Sequence, residues 1–191
     1  MNELVFLLEE RSMREMLVGF LPRILPPVLP YYLVSHEGKT DLEKSIPRKL
    51  RGWRRPGARF IILRDKDSAD CHRVKRKLKK LCVDAGQPDA LIRVVCEELE
   101  AWFLGDFIAI ERAFGLTHLA PLERRAKYRE PDKIVGASPE LKRLVPRYLK
   151  LSGARSIGEH LDPTRNRSRS FRAFIDGLNR VIASLELANQ S

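Results

Sequence analysis

Residues 59–68 read RFIILRDKDS, a run of apolar side chains that ends in two closely spaced aspartates. A short continuous apolar run is typical of a strand buried on both faces of a parallel sheet. The residues that follow, 70–85, repeat apolar side chains at helical spacing among lysines and arginines, which predicts an amphipathic helix. The stretch therefore predicts a strand and a helix, with Asp65 and Asp67 in the connection between them.

The same order of strand and helix recurs along the first half of the chain. Strands are predicted at residues 4–8, 31–35, 59–63 and 91–96. Helices are predicted at residues 12–21, 40–51, 70–85 and 97–103. Ser12, with Glu15 three residues later, is the predicted N-cap of the first helix. This alternation predicts an α/β fold with a doubly wound, mostly parallel four-stranded sheet.

The second half of the chain lacks strand signals. Short helices are predicted after residue 104, among them 139–149 and a last helix at 171–187. We therefore expect an α/β core at residues 1–105 and a C-terminal helical extension at residues 106–191, packed on the core.

The chain is strongly basic, and its charge is concentrated. The formal net charge is +11, and residues 44–80 hold fifteen Lys or Arg against three Asp. A basic surface attracts polyanions and releases their counterions, which favours nucleic acid as a partner. The alternative is a basic face without a specific partner.

Other compositional features exclude several classes of protein. Three cysteines without paired spacing argue against a disulfide scaffold or a structural zinc site. The apolar stretch at 16–34 contains four prolines and an arginine, so it would make a poor membrane span. The N-terminus lacks the features of a signal peptide, and the cytoplasm is the expected compartment.

Acidic residues follow the first and third predicted strands. Ligands of open parallel sheets bind beyond the carboxyl ends of the strands, and Glu9, Asp65 and Asp67 would meet there if strands one and three are neighbours. Clustered carboxylates repel one another unless a cation lies among them, and Mg²⁺ or Mn²⁺ prefers oxygen ligands. Glu98 and Glu100, after strand four, are candidates for further ligands or a general base.

Each acidic motif has a simpler interpretation. Glu9 and Glu10 could be solvated acids that lead into a helix, where negative charge suits the helix dipole. Asp65 to Ser68 could be a turn with a helix cap. The position of both motifs at corresponding strand ends favours a metal site over these alternatives.

Several motifs resemble domain-of-unknown-function family 4276. They are FLLEE at 6–10, HEGK at 36–39, DLEKSIP at 41–47, LRDKDS at 63–68, ELEAWFLGD at 98–106 and NRSRSF at 166–171. That family is similar to the TOPRIM domains of primases, topoisomerases and overcoming-lysogenization-defect (OLD) nucleases. The resemblance implies a bacterial protein with a Mg²⁺-dependent phosphodiester chemistry and a link to phage defence. It assigns the TOPRIM metal-site roles to Glu9, Asp65 and Asp67.

The sequence departs from the TOPRIM pattern at two positions. Glu10 replaces the glycine that usually follows the first glutamate, and Met13 lies where OLD-type nucleases often carry a second glutamate. Either change could alter the number of metal ions or weaken catalysis. Glu10 is the candidate for a substitute second ligand.

Basic residues are candidates for binding the substrate. The second strand–helix unit carries His36, Lys39, Lys44 and Arg48, which could hold a scissile phosphate or be solvated surface residues. Arg155 and Arg167, in the helical tail, could close over the site.

Two functions remain open from the sequence. The first is a Mg²⁺- or Mn²⁺-dependent nuclease that acts on nucleic acid. The second is a TOPRIM-like module that binds a nucleotide or nucleic acid without cutting it and works with a separate ATPase, because the chain has no Gly-x-x-x-x-Gly-Lys-[Ser/Thr] loop. A homo-oligomer is compatible with either function, and a regulatory protein whose acids only cap helices is a weaker third alternative.

Overall fold

A computed structural model of the protein describes residues 2–66 and 70–189, and side chains as far as residue 187. The strands are β1 (Glu3–Leu8), β2 (Tyr31–Ser35), β3 (Ala58–Asp65) and β4 (Leu91–Val95). They form one sheet in the order β2-β1-β3-β4, and every pair is parallel. The predicted strands and the predicted α/β fold class are confirmed.

The helices are α1 (Arg11–Phe20), α2 (Lys39–Gly52), α3 (Cys71–Asp84), α4 (Leu99–Leu104), α5 (Phe107–Phe114), α6 (Ala137–Leu144), α7 (Lys150–Gly158) and α8 (Arg169–Asn189). Short 3₁₀ turns lie at Leu21–Arg23, Ala120–Arg124, Ala126–Tyr128 and Pro131–Lys133. In the described chain, no helix combines the length and the apolar character that a membrane span requires.

The core lies on both faces of the sheet, because successive side chains of a strand point to opposite faces. On one face, Val5 and Leu7 of β1 join the buried side chains of α2 and α3. On the other face, Leu4, Phe6 and Leu8 join a larger cluster that includes α1 and α4–α8. Residues on both sides of position 105 thus share one hydrophobic cluster, and the division into 1–105 and 106–191 stays a prediction.

Several predicted helix boundaries are wrong, and the start predicted at residue 97 lies two residues before α4. Helix α1 begins at Arg11 with Glu10 as its N-cap residue, and the Ser12 hydroxyl donates a hydrogen bond to Glu10 rather than capping the helix. The helix predicted at 139–149 is α6, which ends at Leu144. Pro146 cannot donate the backbone hydrogen bond that a longer helix would need, and its ring disfavours helical backbone before it.

Candidate metal site at the carboxyl edge of the sheet

Glu9 and Asp65 lie together at the carboxyl edge of the central strands. Leu8 pairs in register with Leu63, so Glu9, which follows β1, lies beside the last residues of β3. The backbone N–H of Asp65 donates to Glu9 Oε2 at 3.0 Å, and the N–H of Glu9 donates to the carbonyl oxygen of Leu63 at 3.1 Å. Both acids are at least nine-tenths buried. Asp67 lies outside the described residues.

The carboxyl group of Asp65 is buried, although one of its oxygens lacks a hydrogen-bond partner in the described part of the chain. Its Oδ1 atom is shielded from solvent and has no hydrogen-bond partner among the residues that the structure describes. Burial raises the pKa of Asp65 well above its usual range, the charges of Glu10, Glu9 and Glu100 raise it further, and Lys150 opposes them. A buried oxygen without a partner is costly, so this atom is suited to accept a cation or a proton.

Lys150, at the start of α7, supplies positive charge to this cluster. Its Nζ lies 2.6 Å from Glu10 Oε2. Burial lowers the pKa of Lys150, but the hydrogen bond to Glu10 and the charges of Glu10, Glu100 and Asp65 outweigh it and raise the pKa overall. The lysine is therefore held in its charged form among the acids. A shallow cavity of about 270 Å³ opens here, with Glu9, Glu10 and Lys150 among its lining residues.

Glu98 and Glu100 fix the start of α6 beside the cluster. Glu98 Oε2 accepts the backbone N–H of Ser138 at 2.8 Å. Glu100 Oε1 accepts the hydroxyl groups of Tyr148, at 3.0 Å, and of Ser138, at 3.3 Å. Burial raises the pKa of Glu100, an effect that the hydrogen bond from Tyr148 and the charge of Lys150 oppose. The proposed ligand or base roles of both glutamates stay predictions.

The turn from β4 into α4 is built around Glu97. This residue has a left-handed backbone (φ 63°), which is uncommon for a residue other than glycine and costs on the order of 1 kcal/mol. Its carboxylate pairs with Lys66, directly after Asp65. The ion pair ties the connection after β3 to the connection after β4.

Arg64 is buried next to Glu9. Its Nη1 lies 2.6 Å from Glu43 Oε1, and its Nε lies 3.8 Å from Glu9 Oε2. Lys77 of α3 pairs with the second oxygen of Glu43 at 2.6 Å. This network places one buried positive charge behind the acid that follows β1, and so limits the repulsion within the cluster.

The basic residues predicted to bind substrate occupy different environments. His36 is buried, and its ring nitrogens lie 2.9 Å from the Leu8 carbonyl oxygen and 2.7 Å from Ser45 Oγ. This arrangement ties the end of β2 to the end of β1. Lys39, Lys44 and Arg48 are exposed along α2. The substrate-binding role of all four residues stays a prediction.

Arg155 and Arg167 lie at separate places. Arg155 is an exposed residue of α7, on the helix that Lys150 begins, and its Nη1 lies 3.7 Å from Glu15 Oε2. Arg167 precedes α8, donates from Nη1 to the Glu123 carbonyl oxygen at 2.9 Å, and lines a second cavity beside β4. Of the two, Arg155 therefore shares an element with the acidic cluster.

Lys150 and Tyr148 are site residues that the sequence analysis missed. No local pattern marks them, because both reach the cluster from a helix junction far along the chain. Met13, a position at which the resemblance to OLD-type nucleases implies a glutamate, is fully buried in the core.

The donor atoms of the cluster fit a hard divalent cation. Carboxylate oxygens are the ligands that Mg²⁺ and Mn²⁺ prefer, and the unpartnered Oδ1 of Asp65 is such an oxygen. Within residues 2–66 and 70–189, no three His, Cys, Asp or Glu side chains are already arranged around one point at ligand distance. Glu10 is instead bound to Lys150, and Asp67 is not among the residues searched.

Most of the chain matches one family of known proteins. A family described as a domain of unknown function, DUF4276, matches residues 8–179. The chain belongs to this family. The matched range contains Glu9, Glu10, Asp65, Glu98, Glu100 and Lys150. A comparison with curated proteins finds no match.

A solved structure shows the same fold as this DUF4276 member. It is the C-terminal region of the Burkholderia pseudomallei OLD protein, with a TM-score of 0.57 and 16% sequence identity. The match covers 97% of this chain and 99% of that chain. The predicted resemblance to DUF4276 and to OLD proteins is therefore confirmed.

Proposed function

We propose that this protein is a Mg²⁺- or Mn²⁺-dependent phosphodiester hydrolase that acts on nucleic acid. The observation that carries the proposal is the buried, unpartnered Oδ1 of Asp65 next to Glu9, at the carboxyl edge of neighbouring parallel strands. That edge is where open α/β sheets bind their ligands. The fold shared with a region of an OLD protein supports a nucleic-acid-related module of this type.

The residues present divide into ligands and supporting groups. Glu9 and Asp65 would hold the cation, with Asp67 and Glu10 as further ligands. A bound divalent cation would activate water and stabilise the leaving oxygen. Arg64 holds the position of Glu9 through their mutual attraction, and Tyr148 orients Glu100 by its hydrogen bond.

Lys150 has two roles in this proposal. Without substrate it neutralises Glu10. With a phosphodiester bound, its ammonium group would attract a non-bridging phosphate oxygen, because Lys is a point charge that binds phosphate well. Recruitment of Glu10 as a second ligand then requires that Lys150 release it, so substrate binding and the ligand set are coupled through one ion pair.

A cleavage assay tests the proposal. Plasmid DNA, single-stranded DNA and tRNA are incubated with wild type and with Glu9→Gln, Asp65→Asn and Asp84→Asn, each with Mn²⁺, Mg²⁺ or EDTA. Asp84 is an exposed acid of α3 and serves as the matched control. We expect cleavage by wild type and Asp84→Asn with metal, and a loss of at least about 100-fold in Glu9→Gln and Asp65→Asn. Equal activity of all four proteins would refute the proposal.

A second candidate is a binding module without catalysis that partners a separate ATPase. The observation in its favour is that the similar structure is a region of a larger protein, which indicates a multidomain context. OLD-type nucleases carry an ATPase, whereas this sequence has no phosphate-binding loop of that kind. Nucleic-acid binding without cleavage under every metal condition would favour this function.

A role in phage defence stays a prediction, tested by plaque counts with wild type and Asp65→Asn.

A further inference from the structure

Two adjoining cavities form one groove along the outer edge of β4, between α3 and α8. Their volumes are about 740 and 620 Å³. Both are lined by His72 and Lys75 of α3 and by Ile92 and Arg93 of β4, so they are continuous. We call this the β4 groove. Of the proposed metal ligands that the structure describes, Glu9, Glu10 and Asp65, none lines it, so it is distinct from their cluster.

The walls of the β4 groove are strongly basic. Lys75 and Arg76 lie on the α3 side, Arg93 on β4, and Arg172 and Arg180 on the α8 side. In the part of the chain that the structure describes, none of these five has a carboxylate oxygen within 4 Å, and all but Arg93 are exposed. Their charges are therefore available to an external anion.

The acids at one end of the groove already have partners. Asp132 accepts the backbone N–H groups of Arg169 and Ser170 at the start of α8, at 2.6 and 3.1 Å. Glu130 Oε2 lies 2.8 Å from Lys133 Nζ. Asp89 is the third acid of the described lining, and the eleven Lys and Arg residues that line the groove outnumber these three acids.

Arg93 is built into the floor of the groove. Its Nε donates to the Ala173 carbonyl oxygen at 2.8 Å, and its Nη1 donates to the Ile92 carbonyl oxygen at 2.9 Å. Gly177 of α8 gives the guanidinium room, since a Cβ there would lie 2.3 Å from Arg93 Nη2. Burial, and then the charge of Arg180, lowers the pKa of Arg93, while Asp176 opposes them. A cation is thus held by backbone oxygens beside a second cation.

The chemistry of the groove favours nucleic acid over a peptide strand. Pairing with a peptide requires free backbone groups at the sheet edge, and Arg93 already occupies the carbonyl oxygen of Ile92. No Phe, Tyr or Trp is among the described lining residues, so bases have no aromatic platform and the contacts would be to phosphates. The five residues of β4 span about 17 Å, which equals the axial rise of about five nucleotides of a duplex.

The groove ends next to the acidic cluster. The end of the groove beside the C-terminus of β4 is lined by Cys71 and Cys96. Cys96 directly follows β4, and Cys71 begins α3 after the connection from β3. Val95, one residue before Cys96, pairs in register with Asp65. A strand that follows the groove would therefore arrive beside the proposed metal site.

We propose that the β4 groove binds the sugar–phosphate backbone of one nucleic-acid strand and leads it to the acidic cluster. The identity of the polyanion rests on the proposed function. The groove proposal extends the proposed function by specifying where the strand lies and that the protein recognises its phosphates. Recognition through phosphates predicts binding that depends little on sequence and strongly on salt.

Charge reversal on the two walls tests the groove. Fluorescence anisotropy measures binding of a labelled 30-nucleotide single strand, and of the matching duplex, in EDTA over a series of salt concentrations. The groove variant is Arg76→Glu/Arg180→Glu. The control is Arg54→Glu/Arg112→Glu, which changes the net charge equally at two exposed arginines outside the groove. No side-chain hydrogen bond or ion pair of these four arginines occurs in the described chain, so both variants should fold.

We expect the groove variant to bind at least about 30-fold more weakly than wild type at 0.1 M salt, because each lost phosphate contact lowers the binding constant at that salt by about 0.7–0.9 log units. Its affinity should also depend less steeply on salt concentration. The control should bind within about threefold of wild type. Equal losses in both variants, or no loss in the groove variant, would overturn the proposal. Binding in EDTA does not require cleavage, so this outcome is separate from that of the nuclease assay.

Discussion

The ammonium group of Lys150 lies 2.6 Å from Glu10 Oε2, although 140 residues separate the two along the chain. Lys150 begins α7, and Glu10 precedes α1 at the carboxyl edge of the sheet. The contact brings one positive charge to Glu10, Asp65 and Glu100, whose mutual repulsion would otherwise be larger. The helical second half of the chain therefore takes part in the electrostatics of the site.

A double-mutant cycle on this pair should show strong coupling. We expect Lys150→Met to destabilise the protein more than Glu10→Gln, because the first leaves three acids uncompensated and the second removes one of them. Urea unfolding of wild type, both single variants and the double variant should give a coupling energy of about 1 kcal/mol. The exposed pair Lys80–Asp84 of α3 is the control, with about 0.3–0.5 kcal/mol expected. Coupling no larger than in the control would argue against a shared cluster.

Lys150 is positioned by the close crossing of α1 and α7. Two glycines permit the helices to approach so closely. A Cβ at Gly158 would lie 2.3 Å from the Met16 carbonyl oxygen, and one at Gly19 would lie 2.4 Å from that of Arg155. We expect Gly158→Ala to lower the free energy of unfolding by about 2–3 kcal/mol, because backbone atoms must move. Gly52→Ala at the end of α2, where a Cβ meets no atom within 4 Å, should be neutral or stabilising. Thermal denaturation of both variants distinguishes the two sites.

Asp65 should make the metal-free protein less stable as pH rises. Its folded-state pKa lies above the unfolded value of about 3.8, so the folded chain keeps a proton that the unfolded chain releases. The resulting loss of stability begins near pH 4 and continues through the raised pKa. In EDTA, Asp65→Asn should therefore be more stable than wild type by about 1–2 kcal/mol at pH 8 and equal to it near pH 4. Urea unfolding across this range provides the measurement, and a variant less stable at pH 8 would contradict it.

Glu140 should show the opposite pH dependence. The pKa of this α6 carboxyl is lowered to about 2, chiefly by the hydrogen bond from Arg143. Burial raises the pKa, but hydrogen bonds from Lys127 and Tyr128 lower it further. Its stabilisation is complete above the unfolded pKa of 4.5 and is lost as pH falls toward 2. Glu140→Gln should cost about 1–2 kcal/mol at pH 7, since the charged partners Arg143 and Lys127 are exposed, and progressively less below pH 4.5. A cost that is constant with pH would show that the charge is not responsible.

The parts of the fold that follow from local pattern could be predicted. Short apolar runs identified all four strands, although Arg93 interrupts the last, and neighbouring strands in a parallel sheet bring Glu9 to Asp65. The junction between α6 and α7 was missed, although Pro146 marks it. The helix predicted at 139–149 runs through this proline.

The charge balance of the site could not be predicted from the sequence, because it depends on long-range contacts. Lys150 and Tyr148 reach the cluster only through the packing of α7 on α1 and of α6 on α4. His36 was predicted to hold a phosphate or to be a solvated surface residue, and its burial between Leu8 and Ser45 depends on the way β2 meets α2. The charge pattern alone likewise did not show that Arg180 of α8 faces Arg76 of α3 across the β4 groove.

Calorimetric titration of Mn²⁺ into wild type and Asp65→Asn at pH 8 tests the central claim most directly. The unpartnered Oδ1 of Asp65 is the atom that a cation would satisfy, and its replacement by an amide removes a charged ligand without changing the size of the side chain. We predict that wild type binds Mn²⁺ at least about tenfold more tightly than Asp65→Asn, and that Mn²⁺ raises the melting temperature of wild type alone. Equal binding by both proteins, or no binding by wild type, would contradict a metal site at this edge of the sheet.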